Sequence, residues 1–564
     1  MTTIRSPRPL WMRFGAEFVA VLIVFSAGVI TLSKWYGTAW EINLLYSGDS
    51  LVLPLLHGSV IAREPFEWIF SSQLFFFPEA PLYFFVTLFV PSPRAALCGV
   101  AILNLILLYV LLRWCSRLLF RHSRHRIIEV SVALGATAMY VVYVLLEPVS
   151  DINGTAVASL YLLVAYYSGV IICGLACVGL TLWVTRAFTD PPVRTWRTVF
   201  YVILTGLVVA LSAGSDPLFN FQVSAPLIAT LVIAGAARRL RWRWLLITVG
   251  TIGAATLAGA VLHQLWGRFT SLSVSSYVNF DNLAVAFQFL KHVLRDTVST
   301  PYGTLKLILA VGVLLITLLP IVRSFLGSQR FLARWHVTDA EFVLAVFSWV
   351  SVVSLLSGAI ATGSLTTRYL EPLFVFPLLS ASYETVRFFR YLLSSVQRAE
   401  LRASLSRFGT ALVSAIACTI LIGAAIAAPN AVDMATSSSR GGAECTAKLP
   451  ADAKAGVGTF WLTRNWEVYG SHRYPILQVN GDLTVFPAMI NMASYLHQEF
   501  TFVVVDPWGF VTEDSVKPLG EPNSITECSG YRIYDYAGTP GQTELNAVVH
   551  ASVDKVRRAH GFIP

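Results

Sequence analysis

Long hydrophobic runs, separated by short polar segments, make up most of this chain. Eleven of them approach the length of about 20 residues that crosses a bilayer as a helix. This pattern predicts a polytopic α-helical membrane protein with about eleven transmembrane helices. The predicted spans fall near 15–36, 95–113, 127–148, 159–185, 198–213, 223–236, 244–264, 304–324, 341–360, 368–384 and 409–429.

The polar segments between these runs alternate in charge. Segments such as 149–158 and 212–222 contain no lysine or arginine. Because basic loops stay on the cytoplasmic side, the alternation predicts a multi-pass plasma-membrane protein with a cytoplasmic N-terminus and an extracytoplasmic C-terminus. The basic segments are 113–126, 186–197, 238–243, 323–334 and 387–407.

Two long outer loops interrupt this arrangement. Residues 79–90 are apolar, but counting them as a span would invert every later loop. We therefore predict one outer loop over 37–94, with short helices lying in the membrane interface, and a second over 265–303.

The composition changes after the last span. The sequence predicts two domains, a transmembrane domain over 1–429 and an extracytoplasmic α/β domain over 430–564. Alternating and periodic patterns in the second domain predict its elements. The predicted strands are 455–462, 474–478 and 501–506, and the predicted helices are 485–498 and 543–558.

Composition narrows the class of protein. Of 564 residues, 55% are hydrophobic and 13% are charged, whereas soluble chains carry about 25% charged residues. These values exclude a cytosolic enzyme, a nucleic-acid-binding module and a small secreted disulfide scaffold. The net charge of +9 comes with basic cytoplasmic loops, so we expect membrane lipids and no nucleic acid as partners.

Cysteines are sparse in the polar C-terminal region. Cys445 and Cys528 are the only two there, and the other five lie in or beside apolar runs. An extracytoplasmic location favours disulfide formation. We therefore predict a disulfide between Cys445 and Cys528.

Two charged residues at the predicted outer face are candidates for chemistry. Asp49 follows the first span, where it would act as a general base or, like Ser47, cap the next helix. Arg368 opens a later span, where a guanidinium suits bidentate binding of phosphate. The alternatives for Arg368 are a snorkelling side chain and a salt bridge to Glu371 or to another acid of the loops.

Several short motifs together resemble the GT-C glycosyltransferases. They are Asp49 at the membrane exit, the segment Phe77-Pro-Glu-Ala-Pro-Leu-Tyr-Phe-Phe85, Pro93-Arg94 before a span, and Arg368-Tyr369. The resemblance is closest to the branch with protein O-mannosyltransferases and the lipid A aminoarabinose transferase. Glu79 and Ala80 stand where that family often has Lys-Pro. The C-terminal domain resembles those of some actinobacterial arabinofuranosyl- and mannosyltransferases.

The resemblance implies a mechanism. A polyprenyl-phosphate sugar is the expected donor, and no divalent metal is expected to be required. Asp49 would deprotonate the acceptor hydroxyl, which attacks the anomeric carbon with inversion. The donor phosphate would be bound by Arg368 and Tyr369, with Arg268 or Arg295.

The acceptor is expected to be a cell-wall glycan, a glycolipid or a protein of the cell envelope. Candidate acceptor- or sugar-binding residues are Asp216, His57, Glu79 and Asp151. Asp216 and Asp151 are alternatively turn or cap residues, and His57 alternatively packs on its helix. Aromatic residues of the C-terminal domain would form a sugar platform or belong to its core. These are Trp461, Trp466, Tyr469 and Trp508.

Three rival functions share parts of this pattern. A transporter or flippase should carry charges within its spans and show repeated or broken spans, and the sequence has few of the former and no evident repeat. A lipid-linked glycan polymerase or ligase would share the lipid-linked substrate. A non-enzymatic assembly factor would tolerate loss of Asp49 and Arg368.

Overall fold

The computed structural model describes residues 10–120, 126–150, 154–189, 195–271, 279–325, 337–363, 365–395, 399–437, 442–470, 474–507 and 509–564. The chain divides into two compact units. We call the first, Met1–Tyr36, Val100–His263 and Ser275–Val432, the helical unit. We call the second, Gly37–Gly99, Gln264–Val274 and Asp433–Pro564, the mixed unit.

Helices dominate the described residues. They are α1 Leu10–Trp35, α2 Ala39–Leu45, α3 Val52–Ile61, α4 Glu79–Thr87, α5 Pro93–Leu119, α6 Arg126–Leu146, α7 Ser168–Thr189, α8 Thr195–Ser215, α9 Ala225–Ala236, α10 Trp242–Leu265, α11 Leu283–Val298, α12 Pro301–Ile316, α13 Leu318–Phe325, α14 Asp339–Ala361, α15 Leu378–Ser395, α16 Ala399–Thr436, α17 Phe460–Tyr469, α18 Glu513–Val516 and α19 Pro540–Ala559.

Strands occur only in the mixed unit, as far as the structure describes the chain. They are β1 Trp68–Ile69, β2 Ala455–Gly458, β3 Ile476–Gln478, β4 Ile490–Asn491, β5 Phe500–Val505, β6 Ser524–Cys528 and β7 Tyr531–Asp535.

Nine helical segments among the described residues are long and apolar enough to cross a membrane. The sequence predicts eleven spans, and the two that differ have identifiable reasons. Residues Asn220–Ala236 are apolar but too short to qualify. The run 368–384 begins with a 3-10 helix, Arg368–Phe374, and only then continues as α15. The nine are Gly15–Trp35, Pro93–Leu119, Arg126–Leu146, Ser168–Arg186, Trp196–Ser215, Trp242–Leu265, Pro301–Phe325, Asp339–Ala361 and Arg407–Thr436.

Glu147 is a buried charge of the helical unit that is satisfied by several partners. Glu147, 3% exposed, accepts hydrogen bonds from the backbone N–H groups of Ala158 and Ser159 at 2.7 and 2.8 Å. The Lys306 ammonium lies 2.9 Å from the same carboxylate. Because a buried charge is tolerated when it is paired and hydrogen-bonded, Glu147 has a structural role here.

The mixed unit contains a five-stranded sheet with the order β3-β2-β5-β7-β6. Its β2 pairs in parallel with β3 and β5, whereas β7 is antiparallel to both β5 and β6. Buried aliphatic and aromatic residues of β5, with all six positions buried, form the centre of the core. Cys445 and Cys528 form the expected disulfide, with Cα atoms 5.7 Å apart.

Residues 37–94, predicted to form the first outer loop, belong to the same compact unit as the C-terminal segment. A second sheet joins them, because β1 pairs antiparallel with β4 through Trp68 and Asn491. The guanidinium of Arg557 on α19 also lies 2.7 Å from the Glu67 carboxylate. One compact unit thus contains residues from both predicted domains, 37–99 and 433–564. The predicted domain boundary at 429/430 stays a prediction. The location of 430–564 outside the membrane stays a prediction.

Some predicted elements of the C-terminal region were wrong. The predicted strand 455–462 ends at Gly458, and α17 starts two residues later. The predicted helix 485–498 contains only β4 and a 3-10 helix, Met492–Tyr495. The 3.6-residue spacing there reflects hydrophobic residues that enter the core from irregular backbone. The predicted strands near 474–478 and 501–506 and the final helix are confirmed by β3, β5 and α19.

Candidate active site

Asp49 lies in a tight turn between α2 and α3. The turn is closed by backbone hydrogen bonds from the N–H of Ser47 to Ile42 O (2.9 Å) and from Leu51 to Ser47 O (3.1 Å). The Ser50 hydroxyl also donates to the Asn43 carbonyl at 2.6 Å. Asp49 is 9% exposed. The N-cap position of α3 is Leu51.

The residues that hold this turn come from distant parts of the chain. The Arg464 guanidinium on α17 donates to the Gly48 carbonyl at 3.3 Å, and the Tyr469 hydroxyl donates to Leu45 O at 2.8 Å. Arg94, at the start of α5, donates to the Tyr46 hydroxyl. No pattern in the sequence singles out Arg464, since it lies 416 positions after Gly48.

His57 and Glu79 pack within the mixed unit. The His57 Nε2 lies 3.0 Å from the Thr87 hydroxyl, and its ring packs edge-on against Phe84 at 5.0 Å. Burial lowers the pKa of His57 below its ordinary value, so the ring is neutral at pH 7. Glu79 is 2% exposed and accepts a hydrogen bond from the Gln73 amide at 3.0 Å.

Arg368 and Tyr369 both contact aromatic residues that precede α7. The guanidinium carbon of Arg368 lies 5.8 Å from the centre of the Tyr166 ring. Its Nε donates to the Thr366 hydroxyl at 3.3 Å. The Tyr369 ring packs edge-on against Tyr167 at 5.4 Å. A cation held over an aromatic face keeps a defined orientation, which suits Arg368 to binding an anion.

Glu371 lies one turn after Arg368 and is 1% exposed. Neither of its carboxylate oxygens accepts a hydrogen bond from any residue that the structure describes, Arg368 included. The two side chains interact electrostatically. The expected alternative of a hydrogen-bonded salt bridge between Arg368 and Glu371 is therefore not formed.

Asp216 lies directly after α8 and is 5% exposed. Its Oδ1 accepts a hydrogen bond from the Leu218 N–H at 2.9 Å. This bond makes Asp216 a turn residue, as one reading of the sequence predicts. Its Oδ2 has no hydrogen-bond partner in the described part of the chain. Burial raises the pKa of Asp216 to about 7.

The remaining candidates differ in exposure. Arg268 and Arg295 are exposed, and the Arg268 carbonyl accepts a hydrogen bond from His560 at 2.8 Å. Asp151 lies outside the described residues.

Two residues of the predicted aromatic platform have other roles in the structure. Trp466 is 1% exposed and lies in the core that surrounds the disulfide, and Tyr469 supports the Asp49 turn. Trp461 is 50% exposed, whereas Trp508 lies outside the described residues. The alternative of core aromatics therefore holds for Trp466.

Metal ligands do not cluster in the described ranges. No group of three or more histidine, cysteine, aspartate or glutamate side chains there could hold a metal ion.

Comparison with solved structures gives the fold. The chain is similar to ArnT from Cupriavidus metallidurans bound to undecaprenyl phosphate, with a TM-score of 0.50 and 11% identity over 95% of this chain and 99% of that one. This likeness shows a shared fold: a polytopic helical, GT-C-like membrane protein with a C-terminal sheet domain.

Two further structures are also similar. They are apo ArnT from the same organism, with a TM-score of 0.45 and 11% identity over 93% of this chain and 98% of that one, and the Archaeoglobus fulgidus oligosaccharyltransferase in complex with zinc and sulfate, with a TM-score of 0.37 and 12% identity over 91% and 73%. No family model and no curated protein matches the sequence.

Proposed function

We propose that this chain is a membrane glycosyltransferase that moves a sugar from a polyprenyl-phosphate donor to a hydroxyl group at the outer face of the cell membrane. The observation that carries the proposal is the buried Asp49 in the turn between α2 and α3. A fold shared with a protein that was crystallised with undecaprenyl phosphate supports a lipid-linked donor.

Asp49 is the general base of this proposal. Its carboxylate takes the proton of the acceptor hydroxyl as the hydroxyl oxygen bonds to the anomeric carbon. The bond from that carbon to the phosphate oxygen breaks, and its electron pair leaves with the polyprenyl phosphate. Attack opposite the leaving group inverts the anomeric configuration. The hydrogen bonds that close the turn around Ser47 and Ser50 support a fixed position for the carboxylate.

Arg368 is the main phosphate-binding residue. Charge grows on the phosphate as the glycosidic bond breaks, and a fixed cation stabilises that charge most in the transition state. The contacts of Arg368 with Thr366 and Tyr166 support such a fixed position. Tyr369 lies beside it, and the exposed Arg268 and Arg295 have smaller roles at the phosphate.

Acceptor binding is assigned first to Asp216. Asp216 has an oxygen with no hydrogen-bond partner in the described residues, which suits it to accept a bond from a sugar hydroxyl. Glu79, His57 and Asp151 are secondary candidates. The acceptor is a glycan, a glycolipid or a protein of the cell envelope.

The proposed orientation places the N-terminus in the cytoplasm and residues 430–564 outside. It rests on the basic segments that alternate with segments lacking lysine and arginine, such as 149–158 and 212–222, and on the disulfide, since disulfides persist in oxidising compartments. Lipid-linked donors suit that side, because nucleotide sugars are cytoplasmic.

A transfer assay tests the proposal. The full chain in lipid nanodiscs is incubated with radiolabelled polyprenyl-phosphate sugars and a membrane extract as acceptor. Wild type should transfer label from one donor, and Asp49→Asn and Arg368→Ala should not. The matched controls are Asp514→Asn and Arg532→Ala, which replace exposed residues.

The outcomes separate the rival functions. Transfer that survives Asp49→Asn would contradict the assignment of the base and direct attention to Asp216. No transfer from any donor by folded wild type would favour a transporter, a glycan polymerase or ligase with another donor, or an assembly factor.

A further inference from the structure

We infer that Arg464 is a positioning residue that fixes the Asp49 turn from the C-terminal region of the chain. The inference rests on the proposed function for its catalytic consequence, and on hydrogen bonds within the mixed unit for its geometry. It gives the C-terminal region a role in catalysis that does not require contact with a substrate.

Arg464 itself is firmly held. It is 1% exposed, and its Nε donates to the Gln478 side-chain oxygen on β3 at 3.2 Å. One Nη donates to the carbonyls of Ala488, at 3.2 Å, and Met489. Gln478 in turn donates to Phe486 O and Ala488 O, both at 2.7 Å. A guanidinium with this many fixed acceptors has little freedom to move.

The Nη1 atom of this guanidinium contacts the Asp49 turn. It donates to the carbonyl of Gly48, the residue directly before Asp49, at 3.3 Å. Leaving that buried carbonyl without a donor costs about 1–3 kcal/mol, so Arg464 favours one conformation of the turn. The Asp49 carboxylate and the Arg464 guanidinium also attract each other electrostatically.

Phe460, one helical turn before Arg464 on α17, restricts the same position. Its ring lies so close to Gly48 that a Cβ atom at that residue would be 2.5 Å from the ring edge. The Arg464 guanidinium carbon lies 4.6 Å from the centre of the Phe460 ring. One face of α17 thus provides both a donor and a steric contact to Gly48.

A second set of contacts holds the other side of the turn. Arg94 is 4% exposed and donates to the Tyr46 hydroxyl. It also donates to the Met434 carbonyl through Nε and Nη2, at 3.2 and 3.1 Å. The Tyr46 ring packs edge-on against Tyr469 at 5.5 Å. The turn is therefore enclosed by residues that follow it in the sequence, from Arg94 to Tyr469.

The test combines an activity-independent and an activity-dependent measurement on the full chain in nanodiscs. Hydrogen exchange of the amides over 46–51 is measured for wild type, Arg464→Met and Arg464→Lys. Arg464→Met should speed exchange in this segment at least tenfold, and Arg464→Lys should restore part of the protection. Turnover with the productive donor should fall about 10- to 100-fold in kcat for Arg464→Met, with the donor KM within about threefold.

Arg557→Met is the matched control. Arg557 also joins the C-terminal region to the first loop, but at Glu67 rather than at the Asp49 turn. It should leave exchange over 46–51 and kcat near their wild-type values. If Arg464→Met does not fold, Gly48→Ala is used instead in both measurements. Its added methyl group would push the turn away from the Phe460 ring.

Each outcome decides a separate question. Unchanged exchange over 46–51 in folded Arg464→Met overturns the inference, whether or not the enzyme is active. Faster exchange with unchanged kcat overturns its catalytic part. Faster exchange in a protein whose wild type transfers no sugar overturns the proposed function and leaves the structural contact supported.

Discussion

The Arg464 guanidinium donates a hydrogen bond to the carbonyl of Gly48 over 3.3 Å. The contact links α17, in the C-terminal region, to the residue beside the proposed base. Within the mixed unit, residues 37–99 and the C-terminal segment are therefore parts of one structure. Substitutions in the C-terminal segment are expected to change the chemistry at Asp49, and the close approach at Gly48 gives the first prediction.

Gly48→Ala should lower kcat by about tenfold, because the new methyl group would overlap the Phe460 ring and overpacking costs about 1–3 kcal/mol. Phe460→Leu should restore part of the loss in the double variant. Gly58→Ala is the control, since a Cβ at Gly58 meets nothing within 4 Å. Equal kcat values for Gly48→Ala and Gly58→Ala would show that the close contact has no effect on catalysis.

Arg368→Ala should lower kcat by about 10²- to 10³-fold, the loss typical when one donor to a developing negative charge is removed. Arg368→Lys keeps the charge but loses the planar fork, so its kcat should fall between wild type and Arg368→Ala. Initial rates at saturating donor measure both. Arg295 is exposed, so Arg295→Ala should lower kcat by less than about tenfold. A larger loss of kcat for Arg295→Ala than for Arg368→Ala would make Arg295 the main phosphate-binding residue.

Asp216 should make stability depend on pH. Its pKa is raised to about 7 in the folded protein, so the folded state binds a proton that the unfolded state releases near its ordinary pKa of about 4. The resulting stabilisation is complete below that ordinary pKa and is lost as pH rises towards 7. Asp216→Asn should therefore raise the Tm relative to wild type by more at pH 8 than at pH 5.

Thermal unfolding at the two pH values measures the effect, with an upper limit of about 4 kcal/mol. Asp482→Asn is the control, because a hydrogen bond from Thr484 lowers the pKa of Asp482. That group is ionised at both pH values, so the difference in Tm between Asp482→Asn and wild type should not change. A pH-independent difference for Asp216→Asn would contradict the assignment of a raised pKa.

Loss of the Cys445–Cys528 disulfide should destabilise the region that supports Asp49. The bridge closes a sequence separation of 83 residues, and its core includes Leu462 and Trp466 of α17. Removing a disulfide from a small extracytoplasmic domain costs about 2–5 kcal/mol. The denaturation midpoint of the Cys445→Ser/Cys528→Ser variant should be lower than that of wild type. Its kcat should also be lower. An unchanged denaturation midpoint would show that the bridge adds nothing to stability.

Metal removal should leave turnover unchanged. The proposed step requires a base at Asp49 and a cation at Arg368, and protein side chains provide both. Preincubation with a chelator, followed by the transfer assay with and without added Mg²⁺ or Mn²⁺, checks this. A loss of activity that a divalent cation reverses would mean that the donor phosphate is held in part by a metal ion.

Much of the fold follows from the sequence because the membrane imposes a simple rule. A transmembrane helix needs about 20 consecutive apolar residues, and its backbone groups must all be hydrogen-bonded. The helices α5 and α14 are therefore recognisable in the sequence as long apolar runs. Residues 368–384 are harder, since Pro372 and Pro377 interrupt the run. The chain there forms a 3-10 helix before α15 instead of one continuous span.

The candidate site could be predicted only in part. Asp49 and Arg368 stand out as candidates because ionisable groups at the bilayer surface are costly and often functional. Arg464 has no such signal. It lies on α17, which begins only two residues after β2 ends, in a segment that the sequence predicts as one strand. Its contact with Gly48 depends on a pairing of distant segments that no local pattern encodes.

The most direct test of the central claim measures both products of the reaction at once. Purified wild type and Asp49→Asn in nanodiscs are given a polyprenyl-phosphate sugar and an acceptor, and the released polyprenyl phosphate and transferred sugar are counted together. We predict equal amounts of the two products in wild type and neither above background in Asp49→Asn. Equal amounts of both in Asp49→Asn at the wild-type rate would contradict the assignment of Asp49 as the base.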